Sequence, residues 1–134
     1  MSNHPNEWSF LLVDDDQAFG LIVEKEARNM QLDFQSVDSL KKLKSIKKNL
    51  GKFDAFFVDY DLEDSTGFEV AEFLEKNSQE KPIIMVSSTN RPFQDKLGEL
   101  SNIAGFVSKW TESRVFVEKS LEVFQTRPGI KIEK

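Results

Sequence analysis

The sequence predicts an α/β domain in which a five-stranded parallel sheet is wound on both faces by helices, and three observations carry that expectation. First, short apolar runs and segments of helical period alternate five times along the 134 residues. Second, the strongest runs, Phe10-Leu11-Leu12-Val13, Ala55-Phe56-Phe57-Val58 and Ile83-Ile84-Met85-Val86, are apolar on both faces. A strand needs that pattern only when helices cover both sides of its sheet. Third, the groups able to do chemistry stand where those runs end. Parallel neighbours also require a crossover, and the helical segments between the runs supply it.

In chain order, Phe10–Val13 is the first strand. Phe19, Ile22, Val23, Ala27 and Met30 recur at helical spacing after it, and Leu32–Val37 alternates like a half-exposed second strand. Leu40, Leu43, Ile46 and Leu50 predict a second helix, with Gly51 placed to end it. Ala55–Val58 is the third strand. Thr66-Gly67-Phe68-Glu69 reads as a capping box, after which Val70, Ala71 and Leu74 face the core. Ile83–Val86 is the fourth strand, and residues 91–101, with Pro92 and Gly98, form a poor fourth helix. Gly105–Ser108 is the fifth strand. The last helix starts near Thr111, buries Val117, Leu121 and Phe124, and stops before Pro128-Gly129.

Composition bounds the function. The length suits one domain over residues 1–134, with a core of about 8–126 and a short tail at 127–134. The absence of cysteine removes disulfide frameworks, thiolate metal sites and cysteine nucleophiles together. The single histidine, His4, lies in a polar N-terminal stretch, which disfavours histidine-based catalysis and polyhistidine metal sites. No run approaches about 18 apolar residues, and Met1–Glu7 lacks a signal-peptide layout. With 18 basic and 23 acidic residues the net charge is −5, which argues against nucleic acid and membrane as partners. The expectation is a soluble cytoplasmic domain. One local charge run, Lys41, Lys42, Lys44, Lys47 and Lys48, reads as the solvated face of the second helix.

The polar residues at the strand ends are the informative feature. The first run ends in Asp14-Asp15-Asp16, the third in Asp59-Tyr60-Asp61, the fourth in Ser87-Ser88-Thr89, and the fifth reaches Lys109. In open parallel sheets the ligand crevice lies outside the carboxyl ends of the strands, so these groups converge. Crowded carboxylates either raise a pKa or hold a divalent cation. Oxygen ligands without cysteine or histidine favour Mg²⁺, with Mn²⁺ as the alternative. A lysine and a hydroxyl facing such a cation complete a phosphoryl site, in which one aspartate can serve as nucleophile.

These ordered motifs resemble the receiver domain of the two-component response regulators, the family of the small chemotaxis regulator, from about Ser9 to Gln125. Leu12-Val13-Asp14-Asp15-Asp16 is similar to the family's acidic-pair strand end, and Val58-Asp59 with Gly67 to its phosphoacceptor loop. Val86-Ser87-Ser88 is similar to its switch-hydroxyl position, and Gly105-Phe106-Val107-Ser108-Lys109 to its aromatic-plus-lysine strand. The resemblance implies a flavodoxin-like sheet in the order 2-1-3-4-5. It further implies that Asp59 accepts a phosphoryl group from a histidine kinase or histidine phosphotransfer protein. Asp14, Asp15 and Asp59, with the backbone carbonyl of Asp61, would hold Mg²⁺. Ser87 and Lys109 would contact the phosphoryl oxygens, and Phe106 would turn inward on activation. Asp16 reads as a helix cap. Asp61, Thr89 and Trp110 would modulate the site, Asp61 by adding charge that alters phosphoryl lifetime. Trp110 stands where the family usually has proline, and is either core filler or an aromatic anchor for partners.

Only Thr126–Lys134 follows the last helix, so the expectation is a stand-alone receiver. Its output would come from a protein target on the face of the fourth helix, fifth strand and fifth helix. Two other readings compete. A haloacid-dehalogenase-like phosphatase would use Asp59 and Asp61 as its DxD pair, although there the metal pair follows the nucleophile in sequence. A degenerate receiver would act as a constitutive interaction module.

Overall fold

A computed structural model describes residues 8–60, 62, 66–78, 81–87, 102–109 and 112–126. The strands are β1 (Ser9–Val13), β2 (Asp33–Val37), β3 (Ala55–Asp59), β4 (Ile83–Ser87) and β5 (Ile103–Ser108). They form one parallel sheet in the order β2-β1-β3-β4-β5, as the resemblance implied. The helices are α1 (Gln17–Asn29), α2 (Leu40–Ser45), α3 (Gly67–Asn77) and α4 (Ser113–Gln125). The expected fourth helix at 91–101 lies outside the described residues, so α4 is the helix expected near Thr111.

The continuous apolar runs are explained by the sheet's two faces. Phe10, Leu12, Ala55, Phe57, Ile84 and Val86 face one core with Val23 and Ala27 of α1 and Phe116, Val117 and Phe124 of α4. The alternate residues, Leu11, Val13, Phe56, Val58, Ile83 and Met85, face a second core with Leu43, Leu50, Val70, Ala71 and Leu74. In the first core the Phe10 ring meets Phe34, Phe57 and Phe124 at centroid distances of 5.3, 5.2 and 5.0 Å. Those separations are the favoured range for aromatic pairs.

Several boundaries are set by side chains. Asp16 is the N-cap of α1 and accepts from Phe19 N at 3.0 Å, as expected. Thr66 and Glu69 form the expected reciprocal capping box of α3, each bond 3.1 Å. The second helix departs from expectation. Its α-helical part ends at Ser45, and a 3-10 turn continues over Lys47–Lys52, so Gly51 does not cap it and has no positive φ. Ser45 Oγ donates to Lys42 O at 2.6 Å, and lysines three and four apart repel, both of which weaken a regular helix. Ile22 departs too: it is exposed on α1, and Gly20 takes the inward place. A Cβ at Gly20 would lie 2.7 Å from Ser36 Oγ, so only glycine lets α1 approach β2 there. Glu24 fastens the same contact by accepting from Ser36 N and Oγ at 2.9 and 2.8 Å.

Candidate functional site

The backbone ladders run one rung past three strands and so fix the residues at their ends. Asp14 N donates to Val37 O at 3.0 Å, Tyr60 N to Val86 O at 2.8 Å, and Lys109 N to Ser87 O at 2.8 Å. Asp14, Asp59, Ser87 and Lys109 thereby reach the same edge of the sheet. Gly67 holds the loop after Asp59: its N–H donates to Tyr60 O at 2.9 Å. A Cβ there would meet Tyr60 Cα at 2.7 Å and Asp59 O at 2.8 Å, and both of those atoms are backbone.

Carboxylate oxygens of Asp14, Asp15 and Asp59 lie within 4.8 Å of one another. Asp14 and Asp59 are buried, at 1% and 4% exposure, while Asp15 is half-buried. The Lys109 ammonium sits among them. Its Nζ is 3.1 Å from Asp14 Oδ1, 3.0 Å from Asp14 Oδ2 and 3.5 Å from Asp59 Oδ2. Ser87 is buried at the end of β4, beside β5 in register with Ser108.

Burial raises the pKa of Asp14 against the lowering effects of the Asp16 backbone N–H and of Lys109. Burial pulls Lys109 down, but its hydrogen bond to Asp14 and the charges of Asp14, Asp59 and Asp16 outweigh this and raise it. Three acidic groups against one ammonium leave an excess of negative charge where desolvation makes charge expensive. Asp14 Oδ2 is buried and accepts no hydrogen bond, meeting only the Lys109 charge. A crowded set of hard oxygen donors with one oxygen still short of partners fits a small divalent cation.

One supporting residue was not legible in the sequence. The Phe19 ring carries Lys109 Nζ over its face, 5.0 Å from the centroid, and packs on Phe116 at 5.1 Å. Phe19 reads simply as a core position of α1, and its role needs a contact across 90 residues of chain. Phe106 lies on β5 with its side chain 46% exposed, turned away from the core. Asp61, Thr89 and Trp110 lie outside the described residues. Next to the cluster, a cleft of about 270 Å³ opens between α1 and β2, lined by Asp14, Gln17, Ser36, Asp38 and Lys42 among others. There the Gln17 amide donates to Asp38 at 2.6 Å and holds its carboxyl below the usual range.

The response regulator receiver domain family model matches residues 10–120. The chain belongs to the response regulator receiver domain family. Among solved structures, it is similar to the chemotaxis response regulator CheY4 of Vibrio cholerae, with a TM-score of 0.74 and 19% identity, covering 88% of this chain and 99% of that one. It is also similar to a CheY-like response regulator receiver domain from Methylobacillus flagellatus, with a TM-score of 0.72 and 20% identity, covering 89% and 99%. A putative response regulator from Chloroflexus aurantiacus gives a TM-score of 0.71 and 20% identity, covering 90% and 99%. No curated protein matches the chain significantly. The family assignment supports two-component signal transduction, and leaves the dehalogenase-like phosphatase reading without support.

Proposed function

We propose that this receiver accepts a phosphoryl group on Asp59 from the phosphohistidine of a histidine kinase or histidine phosphotransfer protein, and that it signals by phosphorylation-dependent protein binding. The observation that carries the proposal is the convergence of Asp14, Asp15 and Asp59 within 4.8 Å of one another, with the Lys109 ammonium against Asp14 and Asp59. Asp14, Asp15 and Asp59 would hold Mg²⁺ together with the Asp61 carbonyl. When bound, Mg²⁺ supplies positive charge that offsets the crowded carboxylates and the phosphoryl oxygens. An Asp59 carboxylate oxygen forms the new O–P bond as the N–P bond to the donor imidazole breaks, and the imidazole leaves with the electron pair. Lys109 pairs with the phosphoryl oxygens, and the Ser87 hydroxyl donates to one of them.

Phosphorylation adds roughly one to two negative charges at Asp59. Ser87 then moves toward the phosphoryl group, and Phe106, outward in this structure, turns into the space that opens. The target docks on the face made by β5, α4 and the segment before β5. Asp61 tunes phosphoryl lifetime, and Thr89 and Trp110 act on the same rim. The receiver acts in the cytoplasm through protein partners, not through nucleic acid or membrane. No helix among the described residues is long and apolar enough to cross a membrane.

Beryllofluoride, a mimic of the acyl phosphate, tests the reading. With Mg²⁺ it raises the melting midpoint of the wild type and leaves Asp59→Asn unchanged. A midpoint unmoved by the mimic, with or without Mg²⁺, favours a degenerate receiver. Asp61→Asn changes the decay rate of the phosphorylated protein, and an unchanged rate removes Asp61 from the modulating set.

A further inference from the structure

We infer that the lysine strip on α2 and the 3-10 turn is a docking surface for an acidic polypeptide segment. Lys41, Lys42, Lys44, Lys47, Lys48 and Lys52 are all exposed, and residues 40–52 contain no acid. Setting those six lysines aside, 12 basic residues stand against 23 acidic ones, a balance of −11. The molecule is therefore strongly polar in charge, with a concentrated basic line on an otherwise acidic chain.

The local structure does little to neutralise that line. Lys42 reaches Asp38 at 3.9 Å, while Lys44 and Lys52 lie 6.0 and 5.2 Å from the centroids of the Phe73 and Phe53 rings. The side chains of Lys41, Lys47 and Lys48 have neither hydrogen bond nor ion pair among the described residues. Interspersed acids would relieve this repulsion, and stability alone favours such mixing. The strip thus carries a cost that a partner of opposite charge offsets.

Charge and shape select the partner. The six α-helical and six 3-10 residues have a summed rise of about 20 Å, the reach of about six extended residues. A duplex or an anionic bilayer reaches past that line and confronts the acidic remainder of the chain. The exposed large hydrophobics among the described residues are Leu21, Ile22 and Phe106, on α1 and β5, so the strip has no apolar group to insert into lipid or stack on bases. A flexible acidic segment covers the strip alone. This surface lies on the α2–α3 side of the sheet.

A labelled ten-residue peptide of alternating glutamate and serine is titrated against the whole protein at low and at physiological salt. The wild type binds and weakens as salt rises. Lys41→Glu/Lys47→Glu/Lys48→Glu binds at least about tenfold more weakly. Lys25→Glu/Arg28→Glu/Lys119→Glu, which makes the same change in net charge on α1 and α4, stays within about twofold. A Lys→Gln triple variant at 41, 47 and 48 with an unchanged melting midpoint also loses affinity, which separates the effect from misfolding. The inference is overturned if the wild type does not bind, if both Glu variants lose equally, or if duplex DNA or phosphatidylserine vesicles bind the strip more tightly than the peptide.

Discussion

Asp14 is a carboxylate without solvent and with an oxygen that no hydrogen bond reaches, so its ionised form is costly in the fold. Its raised pKa fixes the sign of the consequence. A folded acid that binds its proton more tightly than the unfolded chain lowers stability at neutral pH, and that penalty fades as pH falls through the raised pKa. Asp14→Asn, without added cation, therefore melts a few degrees above the wild type at neutral pH. Lys109 keeps Asp59 as its partner at 3.5 Å in that variant. The gap narrows on acidification and is flat below the ordinary value of 3.8. A wild type that melts higher than Asp14→Asn at neutral pH in EDTA contradicts this account. Gly67 is a second residue whose chemistry is steric. Gly67→Ala drives a methyl group into the backbone of Asp59 and Tyr60, so both the melting midpoint and beryllofluoride binding fall. A variant with wild-type melting and binding removes Gly67 from the site. At this scale the convergence of Asp14, Asp15, Asp59 and Lys109, and the place of Ser87 at its strand end, were legible, because each lies within two residues of the end of an apolar run. Phe19 was not, since nothing in its neighbours points to a lysine 90 residues away.

Elements obeyed the sequence where a local device specifies them. The capping box of α3 is such a device, and Thr66→Ala removes one of its two bonds at a cost of about 1 kcal/mol, within a usual range of about 0.5–2. Urea unfolding at constant slope reads that loss as a lower midpoint, and an unchanged midpoint shows the cap to be dispensable. The second helix was misread because apolar spacing sees only the buried side. Leu43 and Leu50 do point inward, but Ser45 and the crowded lysines turn the backbone from α to 3-10 between them. The same limit hid Ile22, which fits the helical period yet lies outward while Gly20 packs against β2. Boundaries of β2 and β5 shifted by one and two residues, a small change for edge strands.

The described residues form a sheet between two apolar layers, and its topology was legible because β1, β3 and β4 each hold four consecutive apolar residues that serve both faces. Phe10 joins β1 to Phe34, Phe57 and Phe124, so Phe10→Ala costs about 3–5 kcal/mol and lowers the midpoint steeply. Recovery of wild-type stability in that variant would show that the first core repacks. The same layers bring the strand ends to one edge, where the carboxylates of Asp14, Asp15 and Asp59 collect. The proposed function makes this edge a cation-dependent phosphoacceptor whose reactive group is Asp59. Its most direct test is to incubate the protein with acetyl phosphate, with Mg²⁺ and with EDTA, then map any added phosphate by mass spectrometry. One phosphate is expected, on Asp59, formed with Mg²⁺ and absent in EDTA and in Asp59→Asn. No phosphate in Mg²⁺, or phosphate at another residue, contradicts it.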